Sequence, residues 1–414
     1  MKKKLLGIAA ALISVMLMMG GCATLLLNNA SASASASPTA TEDPTTVIVA
    51  DVNGVAIYKD AYDNLYTQLL YSAYYSGEDI ESDDVLATIR QQTLDQLTTN
   101  EVIKQKFAEL GYDVLSDEDK AQAEQDMIDY LVTNVVEYYY LDDVTAGLEE
   151  GYTDEELRAA EEAYAETLFE GAGITRDEYL ENFTYPIEYQ NAYEAEVGDL
   201  APTEQEITDK YNEYVAADQE TITATPTSYT TSVNSGTTVY YIPEGVRRVR
   251  EVLIPIDEEM AKAISLLRSS SYDEAADILQ AQALTDIDEK ANEALDKLDS
   301  GTTFDDLITE YDPESVMPEE GYAVMEGATD HDEAYIAGAL ALEVVGDCSG
   351  LIATDDGYYI LEYYADEPAG PIAYDKVKDS ISEELATTMQ DEAWDEIVDQ
   401  WKSEATIQTY EGNL

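Results

Sequence analysis

The stretch Arg247-Arg248-Val249-Arg250-Glu251-Val252-Leu253-Ile254-Pro255-Ile256 decides the fold. Val249, Val252, Ile254 and Ile256 are β-branched, a composition that fits a pleated, buried surface and marks a strand entering a sheet. Downstream, residues 258–267, 272–284 and 289–298 read as amphipathic helices. Ser300-Gly301 ends the last of these, and Thr303-Phe304-Asp305-Asp306-Leu307 starts another that closes near Tyr311. After a loop with Pro313 and Pro318 come Gly321-Tyr322-Ala323-Val324, a short helix over 332–342, and two strands at 346–352 and 357–362. The order strand, helices, strand, helix, two strands defines an α+β domain.

Upstream the pattern changes. Residues 221–236 are rich in Thr and Ser around Pro226, the composition of edge strands or a linker. Arg247, Arg248 and Arg250 either bind an acidic group or neutralise local carboxylates, and the second is favoured in a chain this crowded with negative charge. Over 60–217 the periodicity is helical. Leu86, Ile89, Leu94, Leu97, Val102 and Ile103 recur at three- and four-residue spacings, and Gly111 stands where a helix C-cap belongs. Ser116, Thr153, Thr175 and Thr203, each followed by acids, read as N-caps, giving five or six helices. Their irregular spacing excludes a solenoid. Before them, Thr46 to Lys59 places two β-branched runs around Asn53-Gly54, a hairpin signature.

The chain opens with Lys2-Lys3-Lys4, an apolar stretch over 5–19, and Gly20-Gly21-Cys22. That arrangement reads as a secretory signal over 1–21. Its small residues resemble a bacterial lipobox, which implies cleavage before Cys22 and a lipid on its thiol. The mature chain is then anchored to the outer face of a bacterial cell membrane. Residues 22–45, with their Ser-Ala alternation, read as a flexible tether. Cys348 is the thiol that remains, read as a small buried residue.

Asp and Glu number 88 against 21 Lys and Arg, a net charge of -67, so binding by phosphate neutralisation is excluded and nucleic acid is not a partner. At 45% hydrophobic residues the chain has enough apolar surface to fold. Tyr outnumbers Phe 32 to 4, which favours rings with one buried face and a wet hydroxyl. No acidic loop has the alternating ligand spacing and central Gly of a calcium site, so the acids read as solvated helix faces and no metal or cofactor is expected. The charge draws basic, extended polypeptides.

Five phrases in order, at 248–254, 301–308, 320–324, 346–352 and 357–361, resemble the strands and helix starts of parvulin-type (PpiC-like) peptidyl-prolyl isomerase domains. With the lipobox, the Asn53-Gly54 hairpin and the helices that follow, the chain resembles PrsA/SurA-like extracytoplasmic foldases. The resemblance implies a helical chaperone domain over 46–222, a parvulin-like domain over 237–366 with a helical insertion at about 258–286, and a closing helix over 372–414. The stripe Val377, Ile381, Leu385, Met389, Trp394, Ile397, Trp401 then returns to the helical domain or serves as a dimer contact.

The family keeps two histidines at the floor of its groove, and here those positions are Glu251 and Tyr359. The single histidine, His331, falls at an apolar groove position. A Glu251 carboxylate accepting from the Tyr359 hydroxyl is the expected replacement. Asp312 or Glu314 falls near the third polar position, and Tyr335 on the proline-clamping aromatic. Leu253, Tyr322, Met325, His331 and Tyr335 are the implied client-binding residues. The functions implied are prolyl isomerisation with chaperoning of unfolded or newly secreted polypeptides, or holding by a noncatalytic parvulin-like domain. A surface-binding lipoprotein unrelated to folding is the third reading.

Overall fold

The structure is a computed structural model that describes residues 43–149, 151–169 and 175–414. The signal segment, Cys22 and the tether up to residue 42 lie outside these.

Asn53 and Gly54 take φ of 52° and 91°, so the chain reverses from β1 (Ile48–Val52) into β2 (Val55–Tyr58) with the twist a two-residue hairpin needs. A three-residue strand, Ile407–Thr409, pairs with the other edge of β1. Helices α1 (Lys59–Tyr75), α2 (Asp83–Leu110) and α3 (Asp117–Leu131) follow, then a π-helical stretch at Val132–Tyr140, then α4 (Leu141–Thr145), α5 (Asp154–Thr167) and α6 (Arg176–Val197). Gly111 closes α2 at φ 84°, its N–H donating to the Phe107 carbonyl. Ser116, Thr153 and Thr175 each form a capping box with the acid three residues on.

Thr203 and Glu206 box the start of α7 (Glu204–Ala224), and a short α8 (Ser228–Asn234) follows. The segment read as edge strands or linker is therefore helical, and its polar residues are used inside. Asn234 donates to the Ala323 carbonyl at 2.9 Å and accepts from the Ala323 N–H at 2.8 Å, satisfying a strand edge as a neighbouring backbone would. Beyond it run β3 (Tyr241–Ile242), β4 (Arg247–Pro255), α9 (Glu258–Ser269), α10 (Asp273–Asp299) and α11 (Phe304–Tyr311). Next come β5 (Tyr322–Val324), α12 (Glu333–Ala341), β6 (Ile352–Ala353), β7 (Gly357–Asp366), β8 (Gly370–Pro371), α13 (Tyr374–Glu404) and β9, the strand Ile407–Thr409. The two helices expected over 272–284 and 289–298 are one continuous α10.

The chain divides into two compact units, one comprising the residues up to Ala201 with Ala386–Leu414, the other Pro202–Leu385. Helix α7 thus lies with the second unit. The apolar stripe of α13 is shared: Val377 and Ile381 are buried with Ile207 in the second unit, while Trp394 and Trp401 are buried with Phe107, Val102 and Ala192 in the first. Among the described residues, no helix is long and apolar enough to cross a membrane.

The second unit is built on an antiparallel sheet in the order β5-β4-β7-β6. Alternation along β4 sends Val252 and Ile254 to one face, where with Ile360 they are fully buried under α10 and α11. It sends Val249, Glu251 and Leu253 to the other, which α12 covers through Ile336 and Ala339. Each buried aliphatic contributes roughly 1.5–3 kcal/mol, so this sheet is a stiff platform for the side chains on its α12 face. The arginines neutralise their surroundings: Arg248 pairs with Glu367 at 2.7 Å, and Arg250 with Glu362 and Asp305, both at 2.6 Å. Arg247 donates to the Leu342 carbonyl at 2.8 Å and lies over the Tyr363 ring.

Helices α9 and α10 form a hairpin with its own small core of Ile264, Ala276, Ala283 and Leu284, joined by Ile256 and Tyr358. Tyr358 points away from the face that carries Tyr359. The insertion therefore extends the α10–α11 side of the sheet and does not lie over the Glu251 face, which α12 covers. Arg268 fixes it to the β6–β7 turn with two bonds to Asp355, at 2.9 and 3.0 Å. Cys348 is exposed rather than buried, because it sits at the sheet margin in an isolated bridge to Glu362.

Candidate functional site

The register of β4 and β7 places Leu253 opposite Tyr359 and Glu251 opposite Leu361, so all four project from the α12 face. Into that face α12 inserts Tyr335, only 1% exposed. Its hydroxyl donates to Glu251 Oε2 at 2.7 Å. The expected Glu251–Tyr359 bond is thus replaced, because Tyr359 stands one pair further along the ladder while Tyr335 reaches Glu251 from the helix above. Tyr359 instead meets the Tyr335 ring edge-on at 5.1 Å. Its hydroxyl forms no hydrogen bond to another described residue.

His331 stacks on Tyr335 with centroids 4.6 Å apart and planes at 20°, and Tyr322 lies 5.1 Å beyond it. The floor is an aromatic layer, Tyr322, His331, Tyr335 and Tyr359, around one carboxyl. Tyr335 is therefore a filled core position with an occupied hydroxyl, not an open clamp for a client ring. Met325 does not join the layer. Alternation past β5 sends it with Ala323 into a separate cluster with Tyr229 and Val246. Leu253 and Tyr322 are half-buried and line the same face as Glu251.

Beyond Val249 the β4 edge is no longer paired with β5, and the loop after α11 covers it instead. Asp312 Oδ2 accepts from the Leu253 N–H at 3.2 Å, and the Glu251 N–H lies 3.2 Å from Met317 Sδ. Asp312 thus ends a strand edge while adding negative charge near the floor. Sequence reasoning missed Met317, for which a thioether in a proline-bounded loop gave no signal.

Electrostatics follow from burial. The Glu251 carboxyl is pushed up to about 7, mainly by desolvation and further by Asp312 and Asp356, while the Tyr335 hydroxyl pulls it back down. Burial and the Glu251 charge push both Tyr335 and Tyr359 up, so both stay protonated donors. Burial lowers His331 against the opposing pull of Asp330, leaving a neutral ring. Chemically the layer offers a phenol donor, Tyr359, beside a carboxyl near its midpoint, and no imidazole pair.

Residues 2–136 match the SurA-like N-terminal domain family. Foldase protein PrsA of Clostridium botulinum is 25% identical over 134 residues, which are 32% of this chain and 40% of that protein. Foldase protein PrsA 2 of Listeria innocua is 33% identical over 108 residues, 26% of this chain and 36% of that one. The chain thus spans well under half the length of these relatives. Among solved structures, PrsA from Bacillus subtilis is 17% identical, with a TM-score of 0.23 over 87% of this chain and 93% of that one. The chain is an α+β protein that is similar over part of its length to PrsA foldases.

Proposed function

We propose that this chain is an extracytoplasmic folding factor, anchored through a lipid on Cys22, that holds unfolded or newly secreted polypeptides and does not accelerate prolyl rotation. One observation carries the second half of that reading. The groove floor that the parvulin resemblance assigns to a histidine pair is filled by Tyr335, whose hydroxyl is bonded to Glu251. Rotation about an X-Pro bond needs no nucleophile, but it does need an ordered polar group beside the twisting amide to lower a barrier of about 18–20 kcal/mol. Here the buried donor is already used and the remaining hydroxyl, on Tyr359, stands alone. What is left is the half-buried face of Leu253, Tyr322 and Tyr359, offered to apolar and prolyl side chains.

The test is suppression of light scattering by a reduced, aggregating client, run beside a protease-coupled prolyl assay on peptides with varied residues before proline. Suppression without turnover is expected. Turnover that disappears in Tyr359→Phe would instead make the domain an isomerase using a phenol, and neither activity would leave a surface-binding lipoprotein.

A further inference from the structure

The first unit contains a cleft of about 860 Å³ whose two walls are chemically distinct. One wall is aromatic: Tyr185, Tyr189 and Tyr193 follow one another at four-residue intervals along α6, with Trp394 5.1 Å from Tyr189. The other is acidic: Asp391, Asp395 and Asp399 repeat at the same interval along α13. Asp391 accepts from the Tyr193 hydroxyl at 2.6 Å, tying the walls together at one end. The one cation lining the cleft, Lys402, is held by Asp95 at 3.0 Å. Asp395 and Asp399 have no cationic partner among the described residues. Between the walls, Thr99 Oγ1 and Asn100 Nδ2 are enclosed and lack any hydrogen-bond partner.

Each feature asks for a different part of one ligand. A lysine or arginine lays its methylene stem along a ring and its charge against a ring face or a carboxylate. Spacing makes the match specific: carboxylates four residues apart on a helix rise about 6 Å, and same-side residues of an extended chain repeat about every 6.6–6.8 Å.

We propose that this cleft binds an extended client segment carrying lysine or arginine at every second position. The proposal rests on the polypeptide-holding reading and adds the class of segment held.

The test uses the full chain and fluorescent eleven-residue peptides that alternate threonine with lysine or with glutamate, plus one with its lysines clustered at one end. The alternating lysine peptide is expected to bind at least about fivefold more tightly than the clustered one and to change Trp394 emission on saturation. The double variant Asp395→Asn/Asp399→Asn should lose at least about fivefold, whereas Asp286→Asn/Glu289→Gln, exposed on α10 with the same charge change, should lose less than about twofold. Equal binding of lysine and glutamate peptides, or equal losses in the two double variants, overturns the proposal. If the cleft variant does not fold, the spacing preference and the Trp394 response of the unaltered chain decide alone. Failure of the holding reading is separate: it shows as no aggregation suppression of any client, whereas failure of this proposal leaves suppression intact and insensitive to the cleft variant.

Discussion

The Glu251 carboxyl gives a stability prediction whose sign is fixed by the structure. Its value is raised from 4.5 to about 7 in the folded chain, so between these values the folded state holds a proton that the unfolded state has released. A group raised in this way contributes its full stability below the unfolded value and loses it as pH rises through the folded one. Ionising Glu251 inside the fold therefore costs at most about 3 kcal/mol. Glu251→Gln keeps an acceptor for the Tyr335 hydroxyl and cannot ionise, but it leaves a partly buried amide N–H₂ short of acceptors, at about 1 kcal/mol. The variant should be about 1 kcal/mol less stable than the parent near pH 3.5, and about 2 kcal/mol more stable near pH 8.5. Urea unfolding followed by far-ultraviolet circular dichroism reads the difference. Both tryptophans, Trp394 and Trp401, lie in the first unit, so their fluorescence identifies that unit's transition and the remaining signal belongs to the second. A difference that does not change with pH would refute the burial of this carboxyl. A difference of opposite slope would show that its ionised form is the one the fold stabilises.

Three further outcomes follow from the same contacts. Tyr335→Phe removes the donor to Glu251 and should cost about 1–3 kcal/mol, while Tyr359→Phe, which loses no bond to a described residue, should cost under about 1 kcal/mol by the same unfolding measurement. Gly357 has φ 145°, and a Cβ there would stand 2.2 Å from the Ile254 carbonyl oxygen, so Gly357→Ala should destabilise the second unit by about 2 kcal/mol or more. Arg268→Ala removes the hairpin's ion pair to Asp355 and the α9–α10 pair with Asp277 while Gln280 still reaches Asp355; with these groups partly exposed the loss should be about 1 kcal/mol. Hydrogen exchange over 258–273 should speed up in that variant while β4 stays protected.

The sequence was most legible where local chemistry decides the backbone. Asn53-Gly54, Gly111 and the Ser or Thr caps at 116, 153, 175 and 203 each act within a few residues, and each took the expected conformation. β4 was legible because a β-branched run has few other uses, whereas the strand expected over 346–352 is only an isolated bridge at Cys348 and the two residues of β6. Less legible was anything decided by a distant partner. Residues 228–234 look like strand or linker by composition, yet Asn234 and Thr230 are spent on Ala323 and Asp330. The three residues of β9 carry no pattern and pair only because β1 has a free edge. At the candidate site, Glu251 and Tyr359 could be placed on one face from the strand pattern. Which hydroxyl reaches the carboxyl depends on how α12 lies over the sheet, and no spacing within β4 or β7 reveals that.

The central claim is that the aromatic face binds without catalysing, and nuclear magnetic resonance exchange on a proline-containing client peptide tests it directly. The uncatalysed cis and trans forms interconvert over tens of seconds or longer. With the chain at equal concentration, resonances of the client should broaden from binding while the cis–trans exchange rate stays at its uncatalysed value. Exchange that quickens in proportion to added chain would contradict the account.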